Sequence, residues 1–465
     1  MKKLSLLILL TSILLFEYSC RKDSFITSKD AFVRLSSDTL FFDTVFTTAG
    51  SITQPVKIIN TNNQKLLLSS VKLMGGSASS FAINIDGVAA AERDNIELAA
   101  GDSIYIFVAV HINPNGATLP FLLSDSISVS FNGRQQFIQL QAWGQNAHFL
   151  RNQVISTNTI WDNSLPYVIL GSLQVNMGAT LAIRQGCKIY FHADAPLLVD
   201  GSLQVLGDHF DSTRVYFSSD RLDVPYRDFP GGWPGIYFRG TSSNNYLQYA
   251  VLKNAYQAIV SQAPPLGGQP SLVLDQCIID NSYDAGIYGI KGSIQANNCL
   301  VSNCGKNIEL AGGGNYQFTH CTVVSFSNNY IAHTQPVLSV SDAVAQGSGT
   351  GDLTAGFTNC IFWGNNGNVD NEVVVTRQGS GVFSVGFNSC LWKVKAAPSN
   401  VTAAGMVVNA DPLFDSVNNS RYFYNFHLKA GSPAVDKGIS TGLTVDLDGR
   451  LRAVGLPDLG SYERQ

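Results

Sequence analysis

The densest run of side chains able to do chemistry is Asp220-Arg221, Asp223 and Tyr226-Arg227-Asp228, in a proline-containing loop just before Trp233. Arginine forks and a tyrosine ring set among aspartates can grip a sugar by bidentate hydrogen bonds and stacking. The plainer alternative is that these residues satisfy one another as an ion-pair network within the loop. They are therefore candidates for ligand binding, Trp233 included, and not a catalytic set. Tyr246, Tyr249, Tyr256, Tyr283, Tyr288 and Tyr316 would add stacking platforms wherever they face outward.

Other reactive groups are sparse. Asp280, Asp284, Glu309, Asp370 and Glu372 share no position in the repeat described below, and read as scattered, solvated carboxylates. A glycosidase would need two of them about 5–10 Å apart. The seven histidines show no metal-ligand spacing and no triad with a serine motif, so each reads as a surface or packing residue. Asp446 and Asp448 look like part of a calcium loop, but the remaining ligands are missing and turn amides are the better partners. No catalytic residue, metal site or cofactor is expected.

The elements that would carry these residues are strands. Only 14% of the 465 residues are charged while 45% are hydrophobic, a composition that excludes disorder. A net charge of −4 excludes a strongly basic nucleic-acid binder. Alternating runs such as Ile104-Tyr105-Ile106-Phe107-Val108 and Ile127-Ser128-Val129-Ser130-Phe131 fill residues 31–146, broken by Gly, Asn, Asp and Ser, as a sandwich of short antiparallel strands requires.

From about residue 147 the chain repeats. "GSLQV" begins at Gly171 and again at Gly201. Cys277, Cys299, Cys321, Cys360 and Cys390 follow at intervals of 22, 22, 39 and 30 residues, each with a large apolar or β-branched residue two places on. A period near 22 with short strands predicts a parallel β-helix in which these cysteines stack as a ladder inside the core. Asn298 and Asn359 suit the tight bend just before it, where Gln276, His320 and Ser389 stand in the other turns. Free, buried thiols are the expected state, with oxidation between neighbouring turns the alternative.

Met1-Lys2-Lys3, the apolar stretch Leu4–Phe16 and then Cys20 resemble a bacterial lipoprotein signal, with Cys20 as the lipidated residue. Arg21-Lys22-Asp23 resembles the charged export tag of Bacteroidetes-type surface lipoproteins. The strings "LFFDTVFTTAG", "IELAAGDSIYIFVAV" and "FIQLQAWGQNA" are similar to a Hydin-type immunoglobulin-like domain. "GGWPGIYFRG", "LQYAVLKNA" and the "FTNCIF" repeats resemble the right-handed β-helix proteins of the pectin-lyase-like superfamily. "ADPLF", "FHLKAGSPAVDKG", "VDLDGRLR" and "PDLGSYE" resemble the choice-of-anchor Q module.

These resemblances imply an all-β chain: signal peptide 1–20, tether 21–30, immunoglobulin-like β-sandwich 31–146, right-handed parallel β-helix 147–408 and C-terminal cap 409–465. They further imply export to the outer membrane on an N-terminal lipid anchor, with polysaccharide or glycan as the expected partner and no nucleic acid. The polygalacturonase signatures are absent, so a non-catalytic display or glycan-binding surface is the leading expectation. A polysaccharide lyase or glycoside hydrolase of the same fold, or adhesion to a protein partner, are the alternatives.

Overall fold

The computed structural model describes residues 24–47, 51–113, 120–344, 349–365, 367–452 and 455–465. Cys20 and the signal-like segment lie outside them. The chain divides into two compact units, one ending at Asn146 and the other beginning at Ala147. The described helical segments are short 3₁₀ turns, and no helix among the described residues is long and apolar enough to cross a membrane.

The first unit is built from two five-stranded sheets. One is antiparallel throughout and centres on Gln54–Asn60 and Ser103–Val110. The other pairs Arg134–Gln145 antiparallel with Phe121–Phe131 and parallel with Thr39–Phe46. Strand alternation turns Ile104, Ile106, Val108 and Val110 inward, and the two sheets share one apolar core in which Phe42 and Phe81 meet at 6.0 Å.

The second unit winds. Each strand pairs in parallel with its counterpart one turn later: Leu272–Asp275 with Ser293–Asn297, Ile278–Asp280 with Leu300–Ser302, and Ala285–Ile290 with Lys306–Ala311. The resulting long parallel sheets, of 18 and 10 strands, are consistent with a parallel β-helix.

One corner shows why the cysteine frame was readable. Gln276, Asn298, His320, Asn359 and Ser389 all take left-handed backbone, with φ between 50° and 56°. That conformation disfavours most side chains but suits asparagine, whose short amide bonds locally. The next residue in each case is a wholly buried cysteine. Neighbouring turns touch through them: the Cys321 amide donates to Cys360 Sγ at 3.4 Å, and the Cys360 amide to Cys390 Sγ at 3.3 Å. No described cysteine forms a disulfide, and burial pushes the Cys299 and Cys360 thiols up. Beside the ladder, Phe318, Phe357 and Phe387 stack at 5.4 and 4.7 Å.

His320 is the exception among these corners because it titrates. The Asn359 amide is oriented by its two bonds to the Ile439 backbone, so its Nδ2 donates to His320 Nε2 at 2.9 Å and requires neutral imidazole. Burial, aided by Arg452, lowers the His320 pKa to about 3.

The last segment is less a cap than a strap. The outward residues Leu300, Val324, Ile361 and Leu391 are themselves apolar and need cover. They form one cluster with Phe414, Phe426, Leu447 and Leu459, so the described residues beyond 409 lie along the side of several turns instead of closing only the final one. Polar ties fix the strap: Arg452 donates to Asn298 Oδ1 at 2.8 Å, and the Ser461 amide to Thr322 Oγ1 at 2.9 Å. The Asp446 carboxylate accepts the amides of Asp448, Arg450 and Glu463, which accounts for the calcium-like motif without an ion.

Candidate functional site

A second left-handed corner runs through Asn254, Asn281 and Asn303, with φ of 60°, 56° and 52°. Two residues beyond the first pair stand Tyr256 and Tyr283, so winding alone places them one above the other. Their rings stack at 5.7 Å with 23° between planes, and remain 46% and 56% exposed. At the same offset the third turn has Gly305, where a Cβ would meet the Tyr283 carbonyl oxygen at 2.3 Å. A glycine here lets the chain pass close beneath the tyrosine and opens a cleft.

That cleft encloses about 370 Å³ and is lined by Tyr283, Asp284, Lys306, Tyr330, Thr334 and Gln335, among others. Its floor is charged. Lys306 Nζ lies 2.7 Å from Glu309 Oε2 and 3.9 Å from Asp284 Oδ1. The other Asp284 oxygen accepts from Gln257 Nε2 at 2.7 Å. Burial works against the Lys306 ammonium, but Glu309 and Asp284 outweigh it and the pKa is raised. Burial, then Glu309, also raises that of Tyr288.

The far wall is a fixed loop. The Asn328 side chain accepts the amides of Tyr330 and Ile331, both at 2.8 Å, and Ser327 Oγ accepts that of His333. His333 points inward, where its Nε2 meets Glu372 Oε1 at 2.9 Å with both side chains buried. Gly364 makes room for this pair, since a Cβ there would come within 2.2 Å of Glu372 and 2.3 Å of His333.

The polar loop packs beside the cleft, against Tyr330. Asn254 and Asn281 reach out from the corner and donate to the carbonyls of Arg227 and Asp228, at 2.6 and 2.9 Å. This holds Phe229 against Tyr330 at 5.0 Å and Tyr226 against Phe229 at 5.2 Å. Tyr330 in turn stacks on Tyr422 of the strap at 5.0 Å. The loop charges are largely internal. Arg221 grips Asp223 with two hydrogen bonds and lies over the Tyr226 ring, Arg227 pairs with Asp228 at 3.6 Å, and Asp220 turns to His192 at 2.8 Å. Arg221 lowers the Asp223 pKa, while burial raises that of Asp220.

Trp233 is placed differently from its sequence expectation. It is wholly buried, stacks on Phe191 at 4.5 Å and donates its indole N–H to the Lys253 carbonyl at 2.8 Å. It belongs to the core of the turn, because the loop ends and the winding resumes there. The five cysteines are likewise core residues. Of the other tyrosines, Tyr316 and Tyr249 are buried and Tyr246 bonds Asp275. The convergence of Asp284 and Glu309 on Lys306 escaped the sequence reading. The available signal was the 22 residues between Asp284 and Lys306, one helical turn, and the recurrence of Asn-x-Tyr at Asn254 and Asn281. No group of described residues could hold a metal ion.

No family model matches the chain, and no curated protein matches it. Among solved structures it is similar to a family 123 glycoside hydrolase from Clostridium perfringens (9% identity, 25% of this chain, 30% of that one, TM-score 0.18). It is also similar to a protein of unknown function from Porphyromonas gingivalis W83 (13% identity, 28% and 57%, TM-score 0.19). A third is the Agl-KA catalytic domain (11% identity, 76% and 81%, TM-score 0.20). The chain spans less than two thirds of the length of the first two. At such scores the site's own geometry must carry the functional reading.

Proposed function

We propose that this chain binds carbohydrate through the cleft lined by Tyr283 and Tyr330, with Phe229 and Tyr226 packed beside Tyr330. The observation that carries the reading is the exposed stack of Tyr256 and Tyr283 beside an open cleft with hydrogen-bonding side chains on its floor. Aromatic faces take the apolar faces of sugar rings, and convergent polar groups fix orientation. In this proposal the winding unit is a right-handed β-helix of the pectin-lyase-like kind, the first unit an immunoglobulin-like spacer, and the last segment a choice-of-anchor Q-like module. Cys20 would tether the protein by acyl chains to the outer membrane. Palmitate labelling tests that: the wild type takes label, the Cys20→Ala variant does not, and an unlabelled wild type removes the anchor.

Binding is tested by affinity electrophoresis across soluble polysaccharides. Tyr283→Ala should weaken retention about three- to tenfold, the worth of one aromatic stacking contact. An unchanged variant would remove the cleft from the reading.

A second reading, hydrolysis, is favoured by one observation: Asp284 and Glu309 share an ammonium, and so lie within the outer limit of about 9.5 Å for a glycosidase pair. Against it, Lys306 sits where an inverting enzyme keeps water. Reducing ends released by the wild type and lost in Asp284→Asn would decide for hydrolysis.

A further inference from the structure

We infer that the cleft selects sugar chains without acid groups, so that its ligand class is neutral polysaccharide and not polyuronate. The inference rests on the carbohydrate-binding reading and deepens it. An acidic sugar needs a cation that is not already engaged. Lys306 is the cation lining this cleft among the described residues, and it is committed to Glu309 at 2.7 Å and Asp284 at 3.9 Å. The two arginines of the neighbouring loop do not line the cleft: Arg221 is held by two hydrogen bonds to Asp223, and Arg227 lies 3.6 Å from Asp228. Asp284 on the floor and Glu309 behind Lys306 outnumber that one ammonium, leaving a net negative charge beside the cleft, which repels a uronate carboxylate.

A neutral sugar meets the opposite situation. Its hydroxyls donate to carboxylate oxygens, which accept and never donate when ionised, and its ring carbons meet tyrosine faces. Thr334 and Gln335 supply side chains able both to donate and to accept. The contacts involve no net ion exchange, so binding should be insensitive to salt.

The test compares wild-type protein against neutral glucans, mannans and xylans on one side and polygalacturonate and alginate on the other, at low and high salt. Neutral chains should bind with salt-independent affinity, and uronates about tenfold more weakly or not at all. A double variant, Asp284→Asn with Glu309→Gln, leaves Lys306 uncompensated and should gain about tenfold for polygalacturonate at low salt, a gain that salt erases. Uronates binding the wild type as well as neutral chains do would overturn the inference alone. No binding of any polysaccharide would overturn the carbohydrate reading and this inference with it.

Discussion

Replacing Arg452 by alanine should destabilise the winding unit by about 3–5 kcal/mol, the cost of stripping one partner from a buried ion pair. Arg452 and Glu463 are each 1% exposed and meet at 2.9 Å. The guanidinium also donates to Asn298 Oδ1 and to the Gly460 carbonyl, while Glu463 Oε2 accepts the Asp458 amide. Burial lowers the Arg452 pKa and raises that of Glu463, so each is charged at some expense and depends on the other. The prediction separates a missing partner from a missing contact. Arg452→Met combined with Glu463→Leu removes both charges and should recover most of the loss. Urea titrations followed by tryptophan fluorescence measure both variants. Equal losses in the single and double variants would show that packing, and not the unpaired carboxylate, sets the cost.

The second large effect is acid sensitivity traceable to His320. Its folded pKa, about 3, lies below the ordinary value of 6.5, so the unfolded chain takes up the proton first as pH falls. The stability contributed by the neutral ring is therefore complete above about pH 6.5 and is lost progressively down to about pH 3. By linkage the whole effect is on the order of 5 kcal/mol. Asparagine occupies the same left-handed corner one turn before and one turn after, at Asn298 and Asn359. His320→Asn should consequently keep the corner while flattening this part of the pH profile. Unfolding free energies at several pH values between 6.5 and 4 provide the check. Parallel profiles for the two proteins would mean that the acid sensitivity lies in the carboxylates instead.

The winding was legible because a parallel stack imposes the same demand on every turn. A left-handed corner, an inward cysteine and an inward apolar residue two places later recur through five successive turns, so Gln276-Cys277 and Ser389-Cys390 follow the rule even without asparagine. The strap carries no such repetition. Its cues are Leu300, Val324, Ile361 and Leu391 pointing outward, and a β-branched or apolar residue next to an inward one reads the same whether it faces water or a covering segment. The cleft is harder still. Lys306 meets Asp284 through the pitch of one turn and Glu309 through three residues of one strand, a meeting that no single window of sequence displays. Trp233 misled for another reason: at a loop's end an indole has the same neighbours in sequence whether it turns inward or out, and only the stack on Phe191 decides.

A plain solenoid holds together by neighbour-to-neighbour contacts, so it can fray from either end and nucleate anywhere. The strap changes that energetics. Arg452 reaches back 154 residues to Asn298, Ser461 reaches 139 to Thr322, and Ile439 reaches 80 to Asn359. Turns that never touch one another are thereby bound to the same short segment, and loosening one of them loosens its hold on the rest. Long-range closures of this kind slow folding, because the loop must be closed before the contact repays it. A chain emerging N-terminus first can wind its middle turns as they appear. It cannot seal them until Ile439, Arg452 and Ser461 have been made, so docking of the strap follows the winding of the turns that it covers.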